Sequence, residues 1–275
     1  MEPFDFSRHT SLTRDKLGIW RSANVTDLSY PEDGNAGCFA LEADSFWFTH
    51  RNDCISALVR RFPPNGAILD IGGGNGFVSK RLLDDGHTAV VLEPGPVGAR
   101  NAKTRRGLPH VICATLEDIG PSRGIFAAAG MFDVLEHIAD DHALLTRTHN
   151  LLPSGGLVYI TVPALTCLWS GSDTTAGHYR RYTLKSLTAL LSLKFDILYC
   201  SYMFQALLPP VLLLRALPYR LMGKKRGGLL PAAREHGAKG STRLIRFFLR
   251  RELRRIAAGG AMRWGTSLLA AARAR

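Results

Sequence analysis

The chain has 275 residues, 46% of them hydrophobic, and a net charge of +12, enough for one large domain or one domain with an appendage. The basicity is confined: residues 211–275 hold 16 Lys/Arg against 2 Asp/Glu, while residues 1–210 hold 19 against 21, so charge-driven nucleic-acid binding could use only the C-terminal quarter. The five cysteines (38, 54, 113, 167 and 200) are widely spaced with no CxxC, which argues against a zinc site or disulfide scaffold and for reduced thiols, with Cys113 and Cys167 expected as core residues.

In chain order, Met1-Glu2-Pro3-Phe4-Asp5 shows no basic region followed by an apolar core, so a cytoplasmic chain without a leader is expected. Residues 1–40 lack sustained periodicity and contain Pro31-Glu32-Asp33-Gly34-Asn35; an irregular N-terminal cover is expected there. Residues 42–62 read as a helix with Phe46, Ile55, Leu58, Val59 and Phe62 as apolar positions, stopped by Pro63-Pro64-Asn65-Gly66. Strands and helices then alternate: strand 67–71, helix 76–85, strand 88–93, helix 96–106, strand 110–114, strand 125–131, helix 140–152, strand 157–162, helix 184–193, strand 195–201. Such alternation makes a parallel sheet with crossover helices. Residues 203–221 are apolar but interrupted by Pro209, Pro210, Arg215 and Pro218, a poor transmembrane span. Residues 241–256 predict a basic amphipathic helix with Leu244, Ile245, Phe248, Leu249, Leu253 and Ile256 on one face. Residues 264–274 read as a last strand.

Chemistry concentrates where the first strand of this series ends. Asp70-Ile71-Gly72-Gly73-Gly74-Asn75-Gly76 lets backbone pass close to a ligand at the carboxyl edge of the sheet. The dinucleotide fingerprint would need glycine at Phe77, and a Walker loop would need Gly-Lys-Ser/Thr where Phe77-Val78-Ser79 follows Gly76. Glu93, ending the next strand, can accept both hydroxyls of a ribose. A nucleoside without phosphates satisfies all of this.

These residues resemble the class I S-adenosylmethionine-dependent methyltransferases. Ile68 to Gly76 is similar to their first motif and Val91-Leu92-Glu93-Pro94 to the second. Leu116-Glu117-Asp118 is similar to the adenine-side loop, Met131-Phe132-Asp133-Val134-Leu135-Glu136-His137-Ile138 to the motif after strand four, and Leu152-Pro153-Ser154-Gly155-Gly156 to the turn before strand five. Phe46 to Arg51, Leu168 to Asp173 and Gly177 to Tyr182 extend the resemblance to the bacterial type 11/12/23 branch. It implies an α/β, Rossmann-like sheet of seven strands, parallel with an antiparallel last strand, and helices on both faces. Its divisions are a cover at 1–40, a core at 41–202, an apolar and basic helical insertion at 203–260, and the last strand at 261–275. It implies S-adenosylmethionine as donor (S-adenosylhomocysteine as product), held by Asp70, Gly72, Gly73, Gly74, Glu93, Pro94, Leu116, Glu117, Phe132 and His137. Ala114 and Thr115 stand where family members often carry Asp.

Methyl transfer is an in-line displacement, and a base is needed only where the acceptor must lose a proton. The segment 169–182 follows strand five and offers Trp169, Asp173, Tyr179, Arg180, Arg181 and Tyr182 as acceptor contacts, with His178 and His137 as catalytic candidates. Asp133 and Glu136 read as structural, and no metal site is expected. Phe132-Asp133-Val134-Leu135 lacks the Asn/Asp-Pro-Pro-aromatic motif of adenine N-methylation and the cysteine of cytosine C5 methylation. The arginines point to O-methylation of an anionic small, lipid-linked or glycan-linked acceptor, and the basic insertion at 203–256 to an anionic membrane surface on the inner face. The rivals are an RNA methyltransferase using that insertion and a non-catalytic nucleoside-binding module.

Overall fold

The computed structural model describes residues 12–23, 39, 42, 45–120, 124–222 and 243–275. Among them the strands are β1 (Thr13–Arg14), β2 (Trp20–Arg21), β3 (Ile68–Ile71), β4 (Ala89–Leu92), β5 (His110–Cys113), β6 (Ala128–Phe132), β7 (Leu157–Pro163), β8 (Phe195–Met203) and β9 (Ser267–Ala274). They form one sheet in the order β1-β2-β5-β4-β3-β6-β7-β9-β8. Strands β5, β4, β3, β6 and β7 are parallel, and β9 inserts antiparallel between β7 and β8. The seven expected strands are all present.

The N-terminal region corrects one expectation. It is not wholly irregular: β1 and β2 form a hairpin, and β2 adds in parallel to β5, covering what would otherwise be a bare edge. Asp15 closes the turn by accepting the Leu17 and Ile19 N–H groups and Arg21 Nε. Strands of two residues are too short to show a period of two. The turn expected at 31–35 lies outside the described residues.

The helices are α1 (Phe46–Arg61), α2 (Phe77–Asp84), α3 (Pro96–Arg100, continued by a π turn over Asn101–Arg105), α4 (Asp141–Leu151), α5 (Gly171–Thr175) and α6 (Leu184–Leu191). Beyond β8 come α7 (Leu208–Val211), a π turn (Leu212–Ala216), α8 (Leu217–Met222) and α9 (Arg243–Ala257). Local capping explains several starts: Ser45 accepts the Trp47 N–H, Asp140 the Ala143 N–H, and Thr183 the Ser186 N–H.

Alternate strand residues feed two cores. Leu69, Ile71, Val90, Leu92 and Val158 pack with Leu144, Leu145 and Leu151 of α4 and Leu187 and Leu191 of α6. Ile68, Ala89, Tyr159 and Ala271 pack with Ile55, Leu58 and Val59 of α1, Val78 and Leu82 of α2, and Leu249 and Ile256 of α9. Helix α9 is therefore part of the body. Its buried Glu252 accepts the Phe204 and Gln205 N–H groups and bonds His50 of α1 at 2.9 Å.

Candidate active site

The carboxyl ends of β3 and β4 build the first half of the site. Gly72, Gly74 and Gly76 all have positive φ, +66°, +53° and +75°, which side-chain-bearing residues rarely adopt. A Cβ on Gly73 would lie 2.9 Å from Asp70 Oδ2 and 3.1 Å from Val91. Asp70, beneath the loop, accepts the Ser79 hydroxyl at 2.6 Å and so ties the loop to α2. Glu93 accepts the Gly74 N–H at 2.8 Å and the Gly95 N–H at 2.7 Å. Glu93 thus holds the glycine loop at Gly74, while Asp70 braces the start of α2 through Ser79.

Burial dominates the electrostatics here. It raises Asp70 to about 6 in spite of the Ser79 hydrogen bond. It raises Glu93 to about 7, with Asp70 adding repulsion and two backbone N–H groups opposing. The loop 72–79 contains no lysine or arginine. Among the described residues neither carboxylate has a hydrogen-bonded cation, which suits a positively charged, phosphate-free ligand. S-adenosylmethionine fits this chemistry: Asp70 and Glu93 would offset its positive charge, and a ribose diol could use the lone pairs Glu93 retains. Pro94 follows Glu93 at the strand end, and its carbonyl accepts the Cys113 thiol. Leu116 is buried, in the core with Ile112 and Ile119. Glu117 is paired with Arg147 of α4 and half exposed, so its carboxylate is already engaged. Phe132 is buried in the core shared with α1, its ring lying over Gly130.

The second half lies beyond β6 and β7. Asp133 at the end of β6 sits at φ +59° and accepts Arg51 Nη1 of α1 at 2.5 Å. The turn Leu135–His137 follows, and the His137 ring meets the His178 ring edge-on, centroids 4.7 Å apart. Burial lowers His137 to about 4, with His178 adding to the effect, so it is neutral at physiological pH. His178 Nδ1 lies 2.9 Å from Asp173 Oδ1. Arg181 grips the same carboxylate with Nε at 2.7 Å and Nη2 at 3.1 Å, and donates Nη1 to the Ala164 carbonyl at 3.0 Å. Burial alone would raise Asp173, but the bonds from His178 and Arg181 outweigh it and hold the carboxyl well below the usual range.

This geometry corrects the acceptor expectations. Arg181 is buried and neutralised by Asp173; Arg180 is held by Asp141 at 2.6 Å and by the Ala139 carbonyl at 2.5 Å. Neither guanidinium is left to bind an anionic acceptor. Tyr182 is a core residue whose hydroxyl bonds Asp141 at 2.7 Å. Asp173 positions other residues and is itself shut away from solvent. Tyr179 is exposed, and Trp169 donates to Thr174 at 3.4 Å. Cys113 is buried as expected; Cys167 is exposed, because it sits in the turn Thr166–Leu168 and not on a strand.

Glu136 is the residue the sequence reading undervalued. It is buried, and burial together with Asp133 pushes it well above the usual carboxylate range. Among the described residues its Oε2 has no hydrogen-bond partner. Ligand-type atoms of Glu136, His137 and His178 lie within 4.8 Å of one another, close enough to hold a metal ion. A second such group, His50, Cys54 and Glu252, spends Glu252 on two backbone N–H groups and anchors α9.

A methyltransferase domain family model matches residues 47–194. A ubiquinone biosynthesis O-methyltransferase of Bradyrhizobium sp. (strain ORS 278) is 25% identical over 171 residues, 58% of this chain and 62% of that protein. This chain thus matches about three fifths of that relative's length. A SAM-dependent methyltransferase structure from Thermotoga maritima superposes with TM-score 0.54 at 15% identity, covering 89% of this chain and all of that one. The phosphoethanolamine N-methyltransferase 2 of Haemonchus contortus with S-adenosyl-L-methionine gives 0.55 at 17%, covering 92% of this chain and 60% of that one. With the strand order, the glycine loop and the family match in agreement, the chain belongs to the class I S-adenosylmethionine-dependent methyltransferases.

Proposed function

We propose that this enzyme methylates an oxygen of a small or lipid-linked acceptor, with His178 as general base. The observation behind the reading is the bond between His178 Nδ1 and Asp173. A carboxylate only accepts, so Nδ1 carries the proton and Nε2 presents its lone pair. S-adenosylmethionine supplies an electrophilic methyl group. The acceptor O–H gives its proton to Nε2 as the oxygen attacks, and Asp173, clamped by Arg181, stabilises the imidazolium. His137, neutral and packed against the ring, limits how His178 can turn. The Bradyrhizobium relative is named for O-methylation in ubiquinone biosynthesis, which supports an oxygen acceptor. With Arg180 and Arg181 both spent, nothing in 169–182 requires the acceptor to be anionic.

The test is release of S-adenosylhomocysteine against a panel of phenols, aliphatic alcohols and amines. Hydroxyl acceptors should turn over, and His178→Gln should lower kcat by roughly a hundredfold or more while leaving donor affinity within about twofold. Faster turnover on amines would overturn the oxygen assignment. The cluster of Glu136, His137 and His178 favours a second reading, in which a divalent cation there polarises the acceptor oxygen. Activity abolished by chelation and restored by one added cation would select it.

A further inference from the structure

The large exposed apolar side chains are concentrated in one part of the chain. Leu212, Leu213, Leu214, Leu217 and Leu221 are exposed along the segment from the π turn through α8, and Leu244, Phe247 and Phe248 on α9. Leu214 is 70% exposed and Leu221 76%. Single exposed leucines are ordinary, but five within the ten residues 212–221, and three within the five residues 244–248 of α9, mark each of these segments as an interaction surface.

Helix α9 shows what the surface would meet. Leu249, Glu252 and Ile256 turn inward, while Arg243, Arg250, Arg251 and Arg254 are exposed. Glu252, the one acid on the helix, is buried on backbone N–H groups, so the outer face is cationic. Apolar side chains that can enter the boundary between headgroups and acyl chains, flanked by guanidiniums that meet lipid phosphates, match an anionic bilayer. Single-stranded RNA would engage the arginines but gives no role to five aliphatic leucines. Among the described residues no helix is long and apolar enough to cross a membrane, so the contact lies in the plane of the interface.

We propose that the segment from the π turn through α8, together with α9, docks on an anionic lipid bilayer and presents the acceptor side of the active site to a lipid-linked substrate. The link between surface and site is direct. Tyr219 of α8 bonds Thr174 of α5 at 3.2 Å, and Arg220 donates to the Thr166 carbonyl at 3.5 Å. Thr174 in turn receives Trp169 Nε1–H, next to the stretch that carries Asp173 and His178. The substrate half of the proposal rests on the acceptor reading above; the docking half is measurable without any acceptor.

The intact protein is sedimented with phosphatidylcholine vesicles with and without phosphatidylglycerol. It should follow only the anionic vesicles and be released as salt rises. A Leu214→Glu/Leu221→Glu variant and an Arg250→Glu/Arg251→Glu variant should each lose roughly tenfold or more in partitioning. Both should keep the wild-type Tm and donor affinity, because the changed side chains are exposed and far in sequence from the glycine loop. Equal binding to neutral vesicles, undiminished binding by both variants, or displacement from anionic vesicles by stoichiometric single-stranded RNA would each overturn docking. If docking holds but anionic vesicles fail to accelerate turnover of a hydroxyl acceptor carrying a lipid tail over its tail-less analogue, the substrate half falls alone.

Discussion

The two halves of the active site balance charge in opposite ways. At the ends of β3 and β4, Asp70 and Glu93 are buried on hydroxyl and backbone N–H groups, among the described residues without a paired cation, and burial raises them to about 6 and about 7. Beyond β6 and β7 the carboxylates have arginines: Asp133 with Arg51, Asp141 with Arg180, Asp173 with Arg181. Glu136 has no ion pair of its own among the described residues, and lies beside the His137 and His178 imidazoles and the Asp133 carboxylate. The donor side is thus electrostatically incomplete until a cationic ligand arrives. On the acceptor side these three carboxylates are already paired, and in the proposed mechanism His178 moves the proton.

Asp173→Asn should have the largest effect on the acceptor side. It keeps the shape but leaves Arg181 buried without its counter-charge, and its single amide oxygen cannot accept from His178, Arg181 and Ser170 together, so its amide N–H groups must face one of these donors. Removing one partner of a buried pair costs about 3–5 kcal/mol, readable by urea unfolding. Turnover should fall by roughly a hundredfold or more, because the imidazole loses its tautomer preference. The pH dependence has a definite sign. Because the folded carboxyl lies below its unfolded value of 3.8, the stabilisation is fully present above that pH and is lost only as acid titrates Asp173 through its depressed folded value. A variant as stable as the wild type at neutral pH would show that the pair is incidental.

The same contrast explains what the sequence made legible. The donor loop is local: Asp70 and the glycines with positive φ fall within seven consecutive residues, and Glu93 closes the next strand. The alternating pattern announces a parallel sheet with crossover helices, while the antiparallel last strand was implied only by the family resemblance. The acceptor side depends on distant partners. Arg51 meets Asp133 82 positions away, and Tyr182 meets Asp141 41 positions away. An arginine pair in a sequence does not announce that its charges are already taken, so Arg180 and Arg181 read as substrate contacts. Glu136 gave no periodic signal, since its importance lies in burial between elements far apart in the chain. The β1–β2 hairpin escaped notice because its strands are two residues each.

A second test addresses the donor loop. Gly73→Ala places a methyl 2.9 Å from the Asp70 carboxylate and 3.1 Å from Val91, both buried, so the loop must move. Donor affinity, measured by calorimetry with S-adenosylhomocysteine, should drop by roughly ten- to a hundredfold. Since no acceptor contact changes, hydroxyl and amine selectivity should stay as it was.

Next in size is proton linkage at the same loop. A cationic donor favours the ionised forms of Asp70 and Glu93, whose free values are about 6 and about 7. Binding should therefore release protons, and affinity should rise with pH through that window and level off above it. Calorimetry in two buffers of different ionisation enthalpy reads the protons directly. Glu93→Gln should abolish most of the release and weaken binding by about tenfold, the loss of one charge-assisted contact. Proton uptake in place of release would mean that the acids are not where the positive charge goes.

The smallest expected effect separates core from rim on the donor side. Glu117 was a candidate adenine contact, yet its carboxylate pairs with Arg147 and stands half in solvent. An exposed pair contributes at most about 1 kcal/mol, so Glu117→Ala should shift Tm only slightly and leave donor affinity within about twofold. Leu116 beside it is buried, and Leu116→Ala should weaken binding more, because removing its side chain opens the wall against which an adenine ring would pack. If Glu117→Ala proves the more damaging of the two, the carboxylate must leave Arg147 when the donor binds, and the rim of the donor side would then be rearranged by its ligand.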